Sequence, residues 1–340
     1  MSSACLSFTH GRPIARVIGG RDDGKIIKLY VPDIDKVVKK DNKTKGGCCN
    51  ANNDEITSDE EDKKTKAGKV DVYDYIDDDT IKKKFGRKLT LVEKNEIRNA
   101  LRYKKAPEAG QMKEVYDKTN EDLNRKLDRE YHISDGTLQP LPNKDKTERL
   151  YIAGPSDSGK SYYCSKYLTE YKKMFPKKKI YIFSDVDEDE VLDKLEPIRI
   201  KLDHSLVENE IKPEELKNGK EGSLVLFDDI DSIQDKKIFN SIGKLRDALL
   251  KRGRHENITV LVTNHNISDY NKTRVVLNEA NGITVFPKSG ATHGVQRVLK
   301  VYCGLGKEQI KRIFDLPTRW CLVTKNFPMY VMYSQGVYLL

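Results

Sequence analysis

Short apolar runs separated by segments of helical periodicity fill the second half of the chain. They cover residues 149–154, 179–185, 223–229, 258–264 and 282–287. Uninterrupted apolar runs of this length are typical of strands buried on both faces of a parallel sheet. The pattern therefore predicts an α/β fold in which five parallel strands are joined by crossover helices that flank the sheet.

The first half of the chain has a different pattern. Two apolar stretches within residues 12–31 flank the turn-forming sequence GGRDDG, which predicts a β-hairpin. Residues 39–69 have almost no large apolar side chain and predict a disordered, charged linker. In TLVEKNEIRNALRYKK, Thr90 and Glu93 have the spacing of a capping box, and a second helix is predicted near residues 110–131.

These patterns predict four segments. Residues 1–38 form a small β-hairpin segment, 39–69 the disordered linker, 70–145 a helical extension and 146–340 the α/β domain. The proline pair in TLQPLPNKDKTE marks the last boundary. Near the carboxyl end, residues Thr318 to Trp320 and the aromatic run FPMYVMY are predicted to lie in the core or in a subunit interface, because an exposed row of that size favours aggregation.

Charge and cysteine content narrow the function classes. The 62 Lys and Arg residues exceed the 53 Asp and Glu residues, giving a formal charge of +9, which favours a polyanionic partner such as nucleic acid. A solvated basic surface without such a partner is the alternative. No apolar run approaches 18 residues, so no membrane insertion is expected. The six cysteines show no metal-ligand spacing and predict free thiols in a reducing, intracellular compartment.

The sequence GPSDSGKS fits the phosphate-loop pattern G-x-x-x-x-G-K-[ST]. It follows a predicted strand and precedes a predicted helix, so loop N–H groups and the helix N-terminus are expected to face phosphate oxygens. Lys160 would bridge the β- and γ-phosphates, and Ser161 would ligate Mg2+. The predicted nucleotide-binding residues are Gly154, Pro155, Ser156, Asp157, Ser158, Gly159, Lys160 and Ser161.

The run SLVLFDD ends in two carboxylates at the expected carboxyl end of a strand, where parallel sheets bind their ligands. Asp228 is predicted to hold the Mg2+ hydration shell, and Asp229 to orient or deprotonate the attacking water. A helix N-cap is the alternative interpretation of such a pair. Asp231 is predicted to cap the following helix.

Three further residues complete the predicted catalytic set. Asn264 ends the strand 258–264, where its amide would hold the lytic water, although the sequence does not separate its role from that of His265. Arg252 and Arg254 end the helix KLRDALLKRGRHEN, where a guanidinium would stabilise the transferring phosphoryl group of a neighbouring subunit. Simple pairing with the helix dipole is the alternative for these arginines.

The order of GPSDSGKS, LVLFDD, KRGRH and TVLVTNHN resembles that of the DNA-packaging ATPases of poxviruses and other large DNA viruses, in the FtsK/HerA superfamily. The resemblance covers roughly residues 146–340. It implies a P-loop NTPase fold with an additional strand between the Walker A and Walker B strands, and ATP and Mg2+ as ligands. By position it assigns Lys160 and Ser161 to Walker A, Asp228 and Asp229 to the acidic pair, Asn264 to the polar sensor, and Arg252 or Arg254 to the arginine finger.

The same resemblance implies a homo-oligomeric ring that translocates double-stranded DNA without sequence specificity, with a capsid or portal protein as a further partner. It implies an intracellular location in the host cytoplasm, the viral factory or the virion. Asp229 departs from the pattern, since many members carry the longer glutamate. A small-molecule or nucleotide kinase and a non-catalytic nucleotide switch stay open as alternatives; the acidic run at residues 187–190 argues against a kinase with a phosphorylated acceptor.

Overall fold

The computed structural model describes residues 4–31, 76, 78–103, 107–108, 110–126, 129–186, 188–190 and 192–340. The predicted linker over residues 39–69 lies outside the described residues. The chain divides into two compact units, one within residues 1–11 and 29–131 and the other within residues 12–28 and 132–340.

The first unit contains strand β1 (Cys5–Ser7) and helices α1 (Asp78–Phe85), α2 (Leu91–Tyr103) and α3 (Gln111–Lys126). The capping box predicted for α2 is present: Thr90 N–H donates to Glu93 Oε2 at 2.8 Å, and Glu93 N–H donates to Thr90 Oγ1 at 3.3 Å. The Arg87 guanidinium also donates to Glu93 and lowers the pKa of that carboxyl to about 2. One cluster of buried apolar side chains in this unit consists of Ile76, Ile81, Leu89, Ile97, Val115 and Tyr116.

Strand β2 (Arg12–Ile18) precedes β3 (Ile26–Tyr30), where the sequence predicts a hairpin. The turn between them is closed by two bonds of 2.9 Å, from Gly24 N–H to the Val17 carbonyl and from Val17 N–H to the Lys25 carbonyl. After β4 (Glu130–His132), strand β5 (Thr137–Pro140) pairs antiparallel with β2.

One large sheet organises the second unit. Its strands lie in the order β8-β7-β9-β10-β6-β11-β12-β13-β14. Neighbours from β8 to β11 are parallel, and those from β11 to β14 are antiparallel. The strands are β6 (Arg149–Ala153), β7 (Lys179–Ser184), β8 (Ile198–Lys201), β9 (Ser223–Asp228), β10 (Ile258–Asn264), β11 (Gly282–Val285), β12 (Cys321–Thr324), β13 (Tyr330–Tyr333) and β14 (Gly336–Leu339).

The predicted fold class is confirmed: the unit has the P-loop NTPase fold, a sheet flanked by helices. The five predicted strands are β6, β7, β9, β10 and β11, and β10 lies between β6 and β9 as the additional strand. The sheet differs from the prediction in being mixed, because β12, β13 and β14 are joined by loops too short for a parallel crossover. The aromatic run FPMYVMY supplies β13, whose residues are buried core.

Helices cover both faces of this sheet. They are α4 (Lys160–Met174), α5 (Ser205–Glu208), α6 (Lys236–Arg252), α7 (Tyr270–Glu279), α8 (Thr292–Val301) and α9 (Lys307–Asp315). Helix α4 packs on the face that carries Leu261, while α6 to α9 pack on the face that carries Val260 and Val262. This alternation along β10 explains why the strand reads as continuously apolar.

Helix α6 is capped by Asp235, whose carboxylate accepts the N–H groups of Lys237 at 2.7 Å and Ile238 at 3.1 Å. The prediction that Asp231 caps this helix is wrong, because a 3-10 turn at Ile230–Ser232 intervenes before the helix begins. Asp231 is buried and lies instead against the end of β10.

The cysteines of the described residues, Cys5, Cys164, Cys303 and Cys321, are buried free thiols, as predicted. Burial raises the pKa of the Cys164 and Cys321 thiols, which keeps them protonated and unreactive. Within the described part of the chain, no helix is both long enough and apolar enough to cross a membrane.

Helix α6 contains a glycine whose replacement should stabilise the protein. A Cβ at Gly243 would meet no atom within 4 Å, and its backbone is helical. We expect Gly243→Ala to raise the free energy of unfolding by about 0.5–1 kcal/mol, because alanine loses less backbone entropy in a helix. Urea denaturation measures this.

Gly290 is the matched control. The space around it is equally open, but its φ of +87° is left-handed. Gly290→Ala should therefore destabilise the protein, and equal effects of the two substitutions would contradict this account.

Candidate active site

The phosphate loop, residues 154–159, connects β6 to α4 at the carboxyl edge of the parallel strands. Gly154 N–H donates to the Asn264 carbonyl at 3.1 Å, which fastens the start of the loop to the end of β10. Ser158 N–H donates to the Pro155 carbonyl at 3.3 Å. The N–H groups of the first turn of α4 have no partner within the helix, and this first turn follows directly after the loop. The arrangement is that of an anion site at a helix N-terminus.

Two glycines of the loop are required by its geometry. A Cβ at Gly154 would lie 2.7 Å from Cδ2 of Phe286 and 2.7 Å from Oγ of Ser158, closer than real contacts allow. Gly159, at the N-cap of α4, has a φ of +106°, which a residue with a side chain rarely adopts. The chain therefore turns back over the end of the sheet without a side chain in the way.

The exposed positions of the loop are Ser156, Asp157 and, at the start of α4, Ser161. Ser158 is buried, and its Oγ has no hydrogen-bond partner. The guanidinium of Arg319, which precedes β12, donates to the Asp157 carbonyl at 3.3 Å. An arginine thus lies beside the loop within the same chain.

Lys160 is buried, with only 6% of its surface exposed, and its ammonium group turns back onto the loop. Nζ donates to the Gly154 carbonyl at 3.0 Å and to the Pro155 carbonyl at 3.4 Å. It also lies 3.6 Å from Oδ2 of Asp229 and 3.2 Å from Nδ1 of His265. A buried cation needs such partners, and here the loop and the acidic pair supply them.

The two aspartates meet at one threonine. Thr263 is fully buried, and its hydroxyl lies 2.8 Å from Oδ1 of Asp228 and 3.1 Å from Oδ1 of Asp229. The same hydroxyl oxygen accepts the N–H of Asp229 at 2.8 Å. Asp229 has a left-handed φ of 45° without being glycine, which is a strained conformation that this bond helps to hold.

Burial raises the pKa of Asp228, and the neighbouring Asp229 carboxylate acts in the same direction. The Thr263 hydroxyl opposes the shift by donating to the ionised form. On the other side, Ser184 Oγ at the end of β7 lies 3.5 Å from Oδ2 of Asp228. A carboxylate that is buried and incompletely compensated is suited to receive a cation.

His265 follows β10 and lies between the loop lysine and the acidic pair. Its Nε2 is 3.1 Å from Oδ2 of Asp229, and its Nδ1 is 3.2 Å from Nζ of Lys160. The structure therefore distinguishes the surroundings of His265 from those of Asn264, which the sequence could not do.

Asn264, the predicted sensor, ends β10 beside the phosphate loop. Successive side chains of a strand point to opposite faces, so Thr263 lies on the α4 face and Asn264 on the other. Asn264 is 1% exposed, and its amide is buried beside the Tyr151 hydroxyl. Its backbone carbonyl, rather than its side chain, contacts the phosphate loop.

Arg252 and Arg254 lie at the other edge of the sheet. They precede the first residue of β10, whereas the acidic pair lies beside its last residues. Seven strand residues span about 20 Å, so neither arginine is placed to reach the phosphate loop of its own chain. Both side chains are exposed.

The sequence reasoning missed three side chains of the site, namely Ser184, Thr263 and Arg319. Ser184 and Thr263 lie at the ends of β7 and β10, the two strands that pair with β9. Knowledge of the strand order, and of which β10 side chains face α4, would have indicated both residues. Arg319 carried no signal, because it lies 162 residues from Asp157 along the chain.

The close contacts of Gly154 give a test of the loop. We expect Gly154→Ala to lower nucleotide affinity at least about tenfold, because the added methyl group must displace Phe286 or Ser158. Fluorescent-nucleotide titration measures this, and Gly243→Ala in α6, which has open space, should leave the affinity unchanged. Equal affinities for both variants and the wild type would contradict the described loop geometry.

Burial of Asp228 gives a test of its charge. Since its pKa is raised on folding, the folded state binds the proton more tightly, and the ionised carboxylate costs stability above that pKa. In metal-free buffer at neutral pH, Asp228→Asn should therefore raise the melting temperature by a few degrees. The difference should shrink as the pH falls through the raised pKa, as calorimetry can follow. The exposed Asp315→Asn is the control, and a lower melting temperature for Asp228→Asn at neutral pH would contradict the assignment.

Several solved structures have similar folds. The genome packaging NTPase B204 of Sulfolobus turreted icosahedral virus 2, in complex with AMPPCP, has a TM-score of 0.39 and 14% identity, over 55% of this chain and 97% of that one. The pCW3 conjugation coupling protein TcpA, with ATPγS, has a TM-score of 0.42 and 13% identity, over 63% and 67% of the two chains. The cytoplasmic domain of the type VII secretion ATPase EccC of Thermomonospora curvata has a TM-score of 0.40 and 15% identity, over 61% and 28%.

No family model matches the chain. The uncharacterized protein V3 of the Sputnik virophage is 40% identical over 206 residues, which are 60% of this chain and 82% of that protein. Identity at this level over most of a relative's length shows common descent. The chain therefore belongs to the same protein family as protein V3 of the Sputnik virophage.

Proposed function

We propose that this protein is a P-loop ATPase that couples ATP hydrolysis to the movement of double-stranded DNA, and that it packages a viral genome into capsids. The observation that carries the proposal is the meeting of Lys160, Asp228 and Asp229 at the carboxyl edge of a sheet with an additional strand. The order of the four motifs along the chain supports the choice of substrate.

The proposed chemistry divides among these residues. Lys160 leaves the Gly154 carbonyl and binds phosphate oxygens, which are stronger partners for an ammonium group than a carbonyl. Asp229 orients and deprotonates the attacking water. Thr263 places the two acids side by side: its single hydroxyl proton is shared between Oδ1 of Asp228 and Oδ1 of Asp229, and its oxygen accepts the Asp229 N–H.

The site fits Mg2+. Asp228 offers a partly buried carboxylate of raised pKa, and Ser161 offers an exposed hydroxyl at the first turn of α4. Mg2+ prefers oxygen ligands and takes one or two carboxylates together with phosphates and water. When bound, the ion would neutralise charge that develops on the phosphates.

The two edges of the sheet carry different excesses of charge, and this supports a ring: acids prevail at the carboxyl edge, which also holds Lys160, Lys201 and Arg319, and bases prevail at the amino edge, which also holds Glu148, Glu221 and Glu256. Acidic side chains at the carboxyl edge are Asp185, Glu188, Asp189, Glu190, Asp228 and Asp229. Basic side chains at the amino edge are Lys177, Lys178, Lys179, Lys217, Lys251, Arg252 and Arg254. A head-to-tail contact would bring the basic edge of one subunit against the acidic edge of the next, and such contacts close into rings. Arg252 or Arg254 would then serve as the arginine finger of the neighbouring site.

The basic balance also supports a nucleic-acid substrate. A formal charge of +9 favours phosphate contacts, which carry no sequence information, so binding without sequence specificity is proposed. A capsid or portal protein would be the second partner, and the host cytoplasm, the viral factory or the virion the location.

The kinase alternative receives no support from the site. Asp189, in the acidic loop after β7, is close enough to raise the pKa of Asp228. A phosphorylated acceptor would have to approach through this negative charge. The motor is therefore favoured over a kinase that acts on a phosphorylated substrate.

The test is ATP hydrolysis by the purified full chain with Mg2+, with and without linear double-stranded DNA. We expect turnover to rise with DNA and this rise to fall as salt increases. Lys160→Ala should lose nucleotide binding and turnover. Asp229→Asn should keep binding but lose about 100-fold or more in turnover, since general-base catalysis contributes on that order.

Lys300→Ala and Asp315→Asn are the matched controls for Lys160→Ala and Asp229→Asn, because they make the same chemical changes at exposed residues. Both controls should hydrolyse ATP as the wild type does. Turnover that ignores DNA but rises with a small acceptor would favour the kinase. Tight nucleotide binding without turnover would favour the switch, and either result would overturn the proposed motor.

A further inference from the structure

We infer that His265 is a positioning residue that links nucleotide binding at Lys160 to the base Asp229. The inference rests on the proposed function, because it assumes that Asp229 acts on water. The two nitrogens of the His265 imidazole ring contact two different groups of the site, Lys160 and Asp229.

One tautomer of the ring satisfies both contacts. Lys160 has only N–H groups to offer, so Nδ1 of His265 must be the acceptor at 3.2 Å. Nε2 then carries the proton and donates it to Oδ2 of Asp229 at 3.1 Å. The result is a continuous chain of hydrogen bonds from the ammonium group through the neutral imidazole to the carboxylate.

The segment that carries His265 is fixed from two sides. The Asp231 carboxylate accepts the N–H groups of His265 at 3.4 Å and Asn266 at 3.2 Å. The Tyr151 hydroxyl is 2.9 Å from the Asn266 carbonyl. Asp231 is itself held by Lys272, whose Nζ donates to its carbonyl at 3.2 Å. The ring is therefore attached to backbone that is held in place by buried groups.

Both oxygens of Asp229 are occupied in this arrangement. Oδ1 lies near the Thr263 hydroxyl, and Oδ2 faces both His265 and Lys160. When phosphate oxygens draw Lys160 away, Oδ2 loses a cation and His265 loses the donor to Nδ1. Asp229 is then held by His265 and Thr263 alone, and its charge is available to water. His265 thereby keeps the carboxylate in place at the moment when its ion pair breaks.

The variants His265→Ala and His265→Gln test this role by steady-state hydrolysis. We expect His265→Ala to lower kcat by about 100-fold, as a misplaced catalytic group does, while KM for ATP changes less than about threefold. Glutamine offers both a donor and an acceptor, so His265→Gln should recover at least about tenfold of the loss. The control is His204→Ala, an exposed histidine 3.3 Å from Asp235, which should not change kcat. An unchanged kcat in His265→Ala, or an effect on KM alone, would overturn the inference.

A second measurement needs neither a folded variant nor turnover. In wild-type protein labelled with ¹⁵N-histidine, the His265 ring signals should show the Nε2–H tautomer, and the Nδ1 signal should move when AMPPCP is added. Signals that stay unchanged at saturating AMPPCP would overturn the link between Lys160 and His265. If the wild type shows no hydrolysis, the proposed function fails, and these spectra alone decide whether the link exists.

Discussion

The parallel pairing of β10 with β6 on one side and β9 on the other is the constraint on which the site depends. It sets Asn264 opposite Ala153, the last residue before the phosphate loop, and Val262 opposite Phe227, the last residue before the acidic pair. Loop and acids therefore meet at one edge although about 70 residues separate them along the chain. Because the three strands are parallel, their carboxyl ends lie at one edge, and Lys160 and Asp229 come together there.

The site concentrates charge in surroundings that disfavour it. Lys160 is buried, Asp228 is partly buried, and Asp229 adopts a strained backbone conformation. Such groups destabilise a fold unless partners offset the loss of hydration. Here the partners are the loop carbonyls, Thr263 and His265, each of which engages a charged group. Phosphates and a cation would replace several of these contacts, so the resting contacts are ones that a ligand can displace.

The sheet has a direction, and this direction organises the surface. Parallel strands bring their carboxyl ends to one edge, where the acids gather, and their amino ends to the other, where the lysines and arginines gather. The same direction separates Arg252 and Arg254 from the phosphate loop of their own chain, and leaves Arg319 as the arginine beside it.

The sequence by itself determined the local features. Glycines at fixed offsets predicted the phosphate loop, five apolar runs predicted the parallel strands, and Thr90 with Glu93 predicted a helix start, because backbone sterics and local hydrogen bonds decide these.

Tertiary structure decided which side chains meet. Thr263 and Asn264 are indistinguishable in a strand that is apolar on both faces, Asp235 rather than Asp231 caps α6, and Arg319 reaches Asp157 across 162 residues. The short strands β12 to β14 were also missed, since each is stabilised by pairing with the strand before it in the sheet, β12 with β11, β13 with β12 and β14 with β13, rather than by a pattern of its own. The face to which a side chain points, the register of the strands and long-range contacts arise only when the sheet assembles. The sequence pattern therefore could not predict these parts of the site.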